Sequence, residues 1–400
     1  MESTPLLYQT LVQVLSCHKN WLDIRHLKTL AWMINGLILS GKISLGDWTV
    51  YVEGRAQYAQ SIIRRFRRFL DNDRIEVHAL YAPLVSQALQ GWNRKTVYIA
   101  LDTSMLWNTY CLVRLSLVYR GRAIPIVWTV LEHGSATISH DTYKALLDQA
   151  AQVLFPFNCK VIFLADRGFA DTKLMQHLVE LDWHFRIRIK ESFYIYRPGK
   201  RARQVKNIRL GVGRTQFWHH IQITQERFGN VHLAIGRTLE SKERWVVISD
   251  EPTGVETFQE YGLRFDIEEN FLDDKSNGFQ LESSRIRSAQ ALERLCFVLA
   301  VPTLYLTAQG THVVQNGKRR QVDVHWFRGS SYFKIGWAWV KRTVSRREKL
   351  QPCLTLSHKP DPEPAMASRK QHRKRSRPLF LIELHNNSSV IYFDKKVPFT

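Results

Sequence analysis

The chain has 400 residues, 44% of them hydrophobic and 23% charged, which excludes a disordered or fibrous protein and leaves room for two or three domains. Fifty-seven Lys and Arg against 36 Asp and Glu give a net charge of +21. An excess of that size repels itself unless a polyanion balances it, so nucleic acid is the expected partner.

In chain order, residues 1–92 read as a helical, DNA-binding N-terminal domain. Apolar residues recur at helical spacing through HLKTLAWMINGLILS, with Gly41 as the stop. A second helix carries Arg64, Arg65, Arg67 and Arg68 beside an apolar face of Ile62, Ile63, Phe66, Phe69 and Leu70. Those arginines suit phosphate contacts or, equally, a plain solvated face. From residue 93 to 190 the texture is α/β. KTVYIALDTSML is a strand ending in a carboxylate, two strands join in a hairpin at Gly121, and helices fall at 139–154 and 172–181. KVIFLADRGFAD is a second strand ending in a carboxylate, and FRIRIK is a further strand. Residues 191–251 read as a β-rich basic insertion. Residues 252–310 return to helix, with one helix at 256–275 and another at 284–300. The remainder, 311–400, is a basic C-terminal region, and residues 341–378 carry 12 basic and 3 acidic residues. The stretch 357–378 within it is expected to be disordered.

Five widely spaced cysteines without a CxxC pair argue against a disulfide framework or a zinc site. The opening residues lack a basic-then-apolar secretory pattern, and the apolar run at 295–307 is too short to span a bilayer. A cytoplasmic protein with no membrane partner is expected.

Asp102 and Asp166 each end an apolar strand, where ligands gather in α/β sheets. Paired carboxylates there are natural ligands for Mg²⁺, although a lone Asp more often caps a turn. On the helix at 256–275, an advance of about 100° per residue puts Tyr261, Arg264, Glu268 and Lys275 within about a 60° arc. Glu269, Asp273 and Asp274 fall elsewhere. That face offers one carboxylate for a metal, and a guanidinium, an ammonium and a phenol for phosphate oxygens. An exposed face with an Arg264–Glu268 ion pair is the plainer alternative.

Tyr-x2-Arg-x3-Glu-x6-Lys at 261–275, ALDTS at Asp102 and LADRGF at Asp166 together resemble a bacterial DDE transposase of the group named after insertion sequence four. The resemblance covers about residues 95–275. It implies an RNase H-like core interrupted by a β-rich insertion, and two Mg²⁺ ions (Mn²⁺ can substitute) held by Asp102, Asp166 and Glu268. It also implies hydrolysis and strand transfer at the element's terminal inverted repeats, through a DNA hairpin, with target DNA as the final acceptor. Tyr261, Arg264 and Lys275 would grip phosphates near the DNA end. Trp245, in RWVVISDEP, is the candidate for stacking a flipped base, against a half-buried strand residue. A homodimer on paired ends, associated with the bacterial nucleoid, follows from the same resemblance. The competing readings are an RNase H-like metal-dependent nuclease without strand transfer and an inactive DNA-binding relic. His133, His140, His219 and His220 show no metal-ligand spacing.

Overall fold

A computed structural model describes residues 5–54, 56–239, 241–325, 329–363, 378–384 and 387–392. The chain opens with five helices: α1 (Leu6–Leu15), α2 (Ile24–Ser40), α3 (Leu45–Trp48), α4 (Ala59–Leu70) and α5 (Val77–Ala88). The Asp23 carboxylate accepts from the Arg25 N–H at the start of α2, and Gly41 ends it at φ +77°, the left-handed conformation that suits glycine. The expected apolar face of α4 is buried at Ile62, Phe66, Phe69 and Leu70.

A single ten-stranded sheet follows. Its strands in chain order are β1 (Thr96–Leu106), β2 (Tyr110–Tyr119), β3 (Arg122–Glu132), β4 (Lys160–Ala165), β5 (His184–Arg188), β6 (Tyr194–Tyr196), β7 (Arg203–Gln204), β8 (Thr215–Ile223), β9 (Phe228–Arg237) and β10 (Arg244–Ser249). Their spatial order is β3-β2-β1-β4-β5-β10-β9-β8-β6-β7. Strands β1, β4 and β5 run parallel, and β2 lies antiparallel to β1. Helices α6 (His140–Leu154) and α7 (Thr172–Glu180) make the crossovers. Arg120 and Gly121, both at positive φ, form the tight turn between β2 and β3. Pro125 is tolerated inside β3 because that strand is an edge and needs no ladder donor on its free side. The β-rich block pairs onto the core sheet directly, β10 against β5, so the same sheet continues through it.

Beyond the sheet come α8 (Glu256–Gly262), α9 (Phe265–Leu272), α10 (Ala289–Gln315) and α11 (Tyr332–Ser345). Two expectations are corrected here. The helix at 256–275 is not continuous: Leu263 and Arg264 bond three residues back, and residues 273–277 form a wide π turn. The next helix does not stop near Ala300. It runs 27 residues straight through Pro302, because nearly every side chain from Ala291 to Val314 is buried and that packing outweighs one lost backbone bond. By length and composition α10 could cross a membrane, but it is the central core helix, packed on β3, α2, α4, α5 and α11. Its closest crossing is with α11. A Cβ added at Gly310 would lie 2.0 Å from the Tyr332 carbonyl oxygen, and one at Gly336 1.7 Å from that of Leu306. One hydrophobic core runs from Leu7 to Leu356 and includes the N-terminal helices. The last described residues form a hairpin of β11 (Pro378–Leu384) and β12 (Asn387–Tyr392). Most of the stretch expected to be disordered, residues 364–377, lies outside the described residues.

Candidate active site

Asp102 and Asp166 stand side by side. Parallel pairing sets Leu101 opposite Ala165, so the next residue of each chain segment is one of the two aspartates. Asp166 ends its strand as expected. Asp102 does not: β1 continues to Leu106, and Asp102 sits within it. Each carboxylate accepts from the following backbone N–H, Thr103 on Asp102 (2.8 Å) and Arg167 on Asp166 (2.6 Å), which fixes its rotamer toward that level of the sheet.

Glu268 reaches the same place from α9, through Arg264. The Arg264 guanidinium lies 3.2 Å from Asp102 Oδ2 and 2.7 Å from Glu268 Oε1, bridging the two carboxylates. Arg264 is buried, Asp102 is 18% exposed at its side chain and Glu268 is 50% exposed. Burial pushes the Asp102 carboxyl up to about 6, opposed by Arg264 and the Thr103 N–H and reinforced by the negative charges of Glu268 and Asp166. Tyr261 is fully buried, and burial raises its phenol. Its hydroxyl faces Arg264 without closing a regular hydrogen bond, and Arg264 Nε is also without an acceptor.

Sequence reasoning missed the groups that aim this face. At one end Glu260 of α8 accepts from Arg186 Nε of β5 (2.6 Å) and from the Tyr98 hydroxyl of β1 (3.3 Å). At the other end Asp274 accepts from Arg114 of β2 (2.6 Å), inside the core, with Asn270 on the same guanidinium. Arg122 of β3 holds Asp273 (2.8 Å) and Glu269 (3.4 Å). The neighbouring acids are therefore consumed by strand arginines, and Glu268 is left to face Asp102. The available signal was Arg114 itself: an arginine amid the apolar strand YCLVRLSLVY must find a buried partner.

Two other expected contacts take a different form. Lys275 Nζ donates to the Met105 carbonyl (2.7 Å) and pairs with Glu282 (3.3 Å), so it pins the β1–β2 hairpin to residues 281–287. The π turn rotates it out of the line that an uninterrupted helix would give. At that hairpin's tip Arg287 lies over Trp107, 3.9 Å from the ring centroid. Trp245 is only 7% exposed. It packs among Tyr261, Phe258, Phe265 and Phe380, so it is not an open platform, and a base could stack on it only after one of these rings moved. On α4, Arg64, Arg67 and Arg68 are exposed, while Arg65 is half-buried against Phe66 and beside Tyr8. The histidines have local partners, His219 on His232 (3.1 Å) and His220 on Asn230 (3.0 Å).

Three carboxylates at one end of the parallel strands are the hard oxygen donors that a divalent cation such as Mg²⁺ prefers. Among the described residues no three His, Cys, Asp or Glu side chains close around a single metal position. The guanidinium between Asp102 and Glu268 is the cation that this geometry holds instead. No curated protein matches the chain. Residues 108–301, just under half the chain, match the family model described as the transposase DDE domain. The matched stretch contains Asp166, Glu268 and the Arg264 face, and begins six residues after Asp102. Together, the match and the converging carboxylates support a transposase of the DDE type.

Proposed function

We propose that this chain is a DNA transposase of the insertion-sequence-four group. It cuts at the terminal inverted repeats of its element and joins them to target DNA. The observation that carries the reading is that Asp102 and Asp166 stand on adjacent parallel chain segments while Arg264 bridges Asp102 to Glu268, with Asp166 and Glu268 inside the matched domain. The order β3-β2-β1-β4-β5, in which β2 alone runs against the other four strands, supports an RNase H-like core. Asp102, Asp166 and Glu268 would hold the divalent ions. When bound, such ions activate an attacking oxygen and stabilise a leaving one in phosphodiester displacement.

The protein's own groups do the rest. Arg264 would take up the phosphate of the DNA end once its guanidinium leaves its buried seat, and the Tyr261 hydroxyl, covered until then, would join it. Lys275 keeps the β1–β2 hairpin in place beside the carboxylates and leaves the phosphates to other groups. Trp245 forms the wall behind Tyr261. A hairpin intermediate, a homodimer spanning two DNA ends and a cytoplasmic location complete the proposal.

An excision assay tests it. The gene's flanking DNA is placed around a marker and incubated with Mg²⁺ and the full-length chain. Wild type should excise the marker and Glu268→Ala should not, while both bind the DNA. End binding without cleavage by wild type would instead mark a DNA-binding relic, and cleavage without joining would mark a nuclease.

A further inference from the structure

We propose that Arg264 is a built-in counter-cation that competes with divalent metal for Asp102 and Glu268, and releases them only when a DNA phosphate takes up its guanidinium. The inference rests on the reading of these carboxylates as a metal site, and it adds an order of assembly: DNA first, metal second. Three observations carry it. The guanidinium contacts both carboxylates, on β1 and on α9, through separate nitrogens. Arg264 is buried and Asp102 largely so, which leaves their pair weakly screened by water, while Glu268 is half exposed and held less firmly. And two neighbouring buried donors, Arg264 Nε and the Tyr261 hydroxyl, lack acceptors.

Such orphaned donors are costly in a resting state. They are also the donors that a phosphate oxygen would satisfy, and a guanidinium binds phosphate as readily as carboxylate. A phosphate that draws the Arg264 guanidinium out of its buried seat, uncovering the Tyr261 hydroxyl behind it, therefore offers acceptors to both groups and leaves Asp102 and Glu268 bare of their cation. Two uncompensated carboxylates beside Asp166 then draw in divalent ions. A site of this kind remains poorly metallated, and so inert, until substrate is in place. The coupling is reciprocal: metal strengthens DNA binding by the same factor by which DNA strengthens metal binding.

The test uses Mn²⁺ as the probe, titrated into full-length protein without DNA and followed by the electron paramagnetic resonance of free Mn²⁺. Arg264→Gln should bind Mn²⁺ about tenfold or more tightly than wild type, a difference of about 1.4 kcal/mol. Arg264→Lys retains the charge but reaches only one carboxylate, so it should fall between them, and it serves as the readout if the Gln variant does not fold. Adding a short DNA duplex, with a DNA-only control, should tighten Mn²⁺ binding by wild type and change Arg264→Gln little. Equal or tighter binding by DNA-free wild type would overturn the competition. Failure of every protein to bind Mn²⁺, with and without DNA, would instead remove the carboxylate metal site on which the inference stands.

Discussion

Asp102 shows what a buried carboxylate costs a fold. Its carboxyl is raised from the ordinary aspartate value of 3.8 to about 6, so folding disfavours its charged form. The sign is the reverse of the usual salt-bridged aspartate. The penalty is absent below about pH 4, grows as pH rises toward 6 and is constant above that. Asp102→Asn should therefore unfold less readily than wild type at pH 8, by on the order of 1–3 kcal/mol. The gain should vanish near pH 4, measured by urea titration in EDTA. An equal stability difference at both pH values would refute the charge penalty. Trp245 lies in the same neighbourhood and makes a different point. It is packed against Tyr261, Phe258, Phe265 and Phe380, so Trp245→Ala should cost about 3–5 kcal/mol. It should impair first-strand nicking and any hairpin step alike, and loss confined to the hairpin step in a cleavage assay would restore the base-stacking role. The sequence marked Trp245 as an aromatic on a strand, but its neighbours come from α8, α9 and β11, which no local pattern reveals.

At the scale of elements, the Glu268 helix is a beam fixed at both ends. Glu260 is tied to β5 and β1 at one end, and Asp273 and Asp274 to β3 and β2 at the other. Removing one partner of the buried Arg114–Asp274 pair should cost about 3–5 kcal/mol. Arg114→Ala should thus lower thermal stability severely, whereas replacing both residues by Met and Leu should recover much of the loss. A double variant no better than the single one would show that the pair itself is not the anchor. At the β1–β2 tip, Arg287 is exposed beside Trp107, open to DNA backbone. Arg287→Ala should reduce the slope of log affinity against log salt by about 1 in fluorescence anisotropy, and an unchanged slope would place Arg287 off the DNA path. Most elements were legible: Gly41 stops α2, Gly121 turns β2 into β3, and the Asp102 and Asp166 strands have the expected apolar texture. What could not be read was continuity. The helix expected at 284–300 stops short because local rules take no account of a core that surrounds the whole of α10. The helix at 256–275 reads as unbroken because nothing in Leu263–Arg264 forbids ordinary helix. The phase of Lys275 depended on that assumption, and it moved.

The whole molecule carries its charge in a way that composition alone could not divide. Many arginines are structural: Arg114, Arg186 and Arg264 are buried and paired with acids. The excess that meets solvent includes Arg64, Arg67 and Arg68 on α4. Changing these three together to Ala should lower the salt slope for generic duplex DNA by roughly 2–3, without loss of stability. No change would return α4 to an ordinary solvated face. The sheet topology had no sequence signature, because strand order is settled by pairings between distant residues. The convergence of the carboxylates was legible only as three separate motifs.

The terminal hairpin has a genetic consequence. Phe380 inserts its ring over Gly236, where any Cβ would stand 2.5 Å from it, and packs on Phe258 and Trp245 behind Tyr261. A nonsense codon between positions 269 and 380 thus removes a wall of the candidate site while all three acids are still made. A reading frame that keeps all three acids is therefore no proof of a working gene copy.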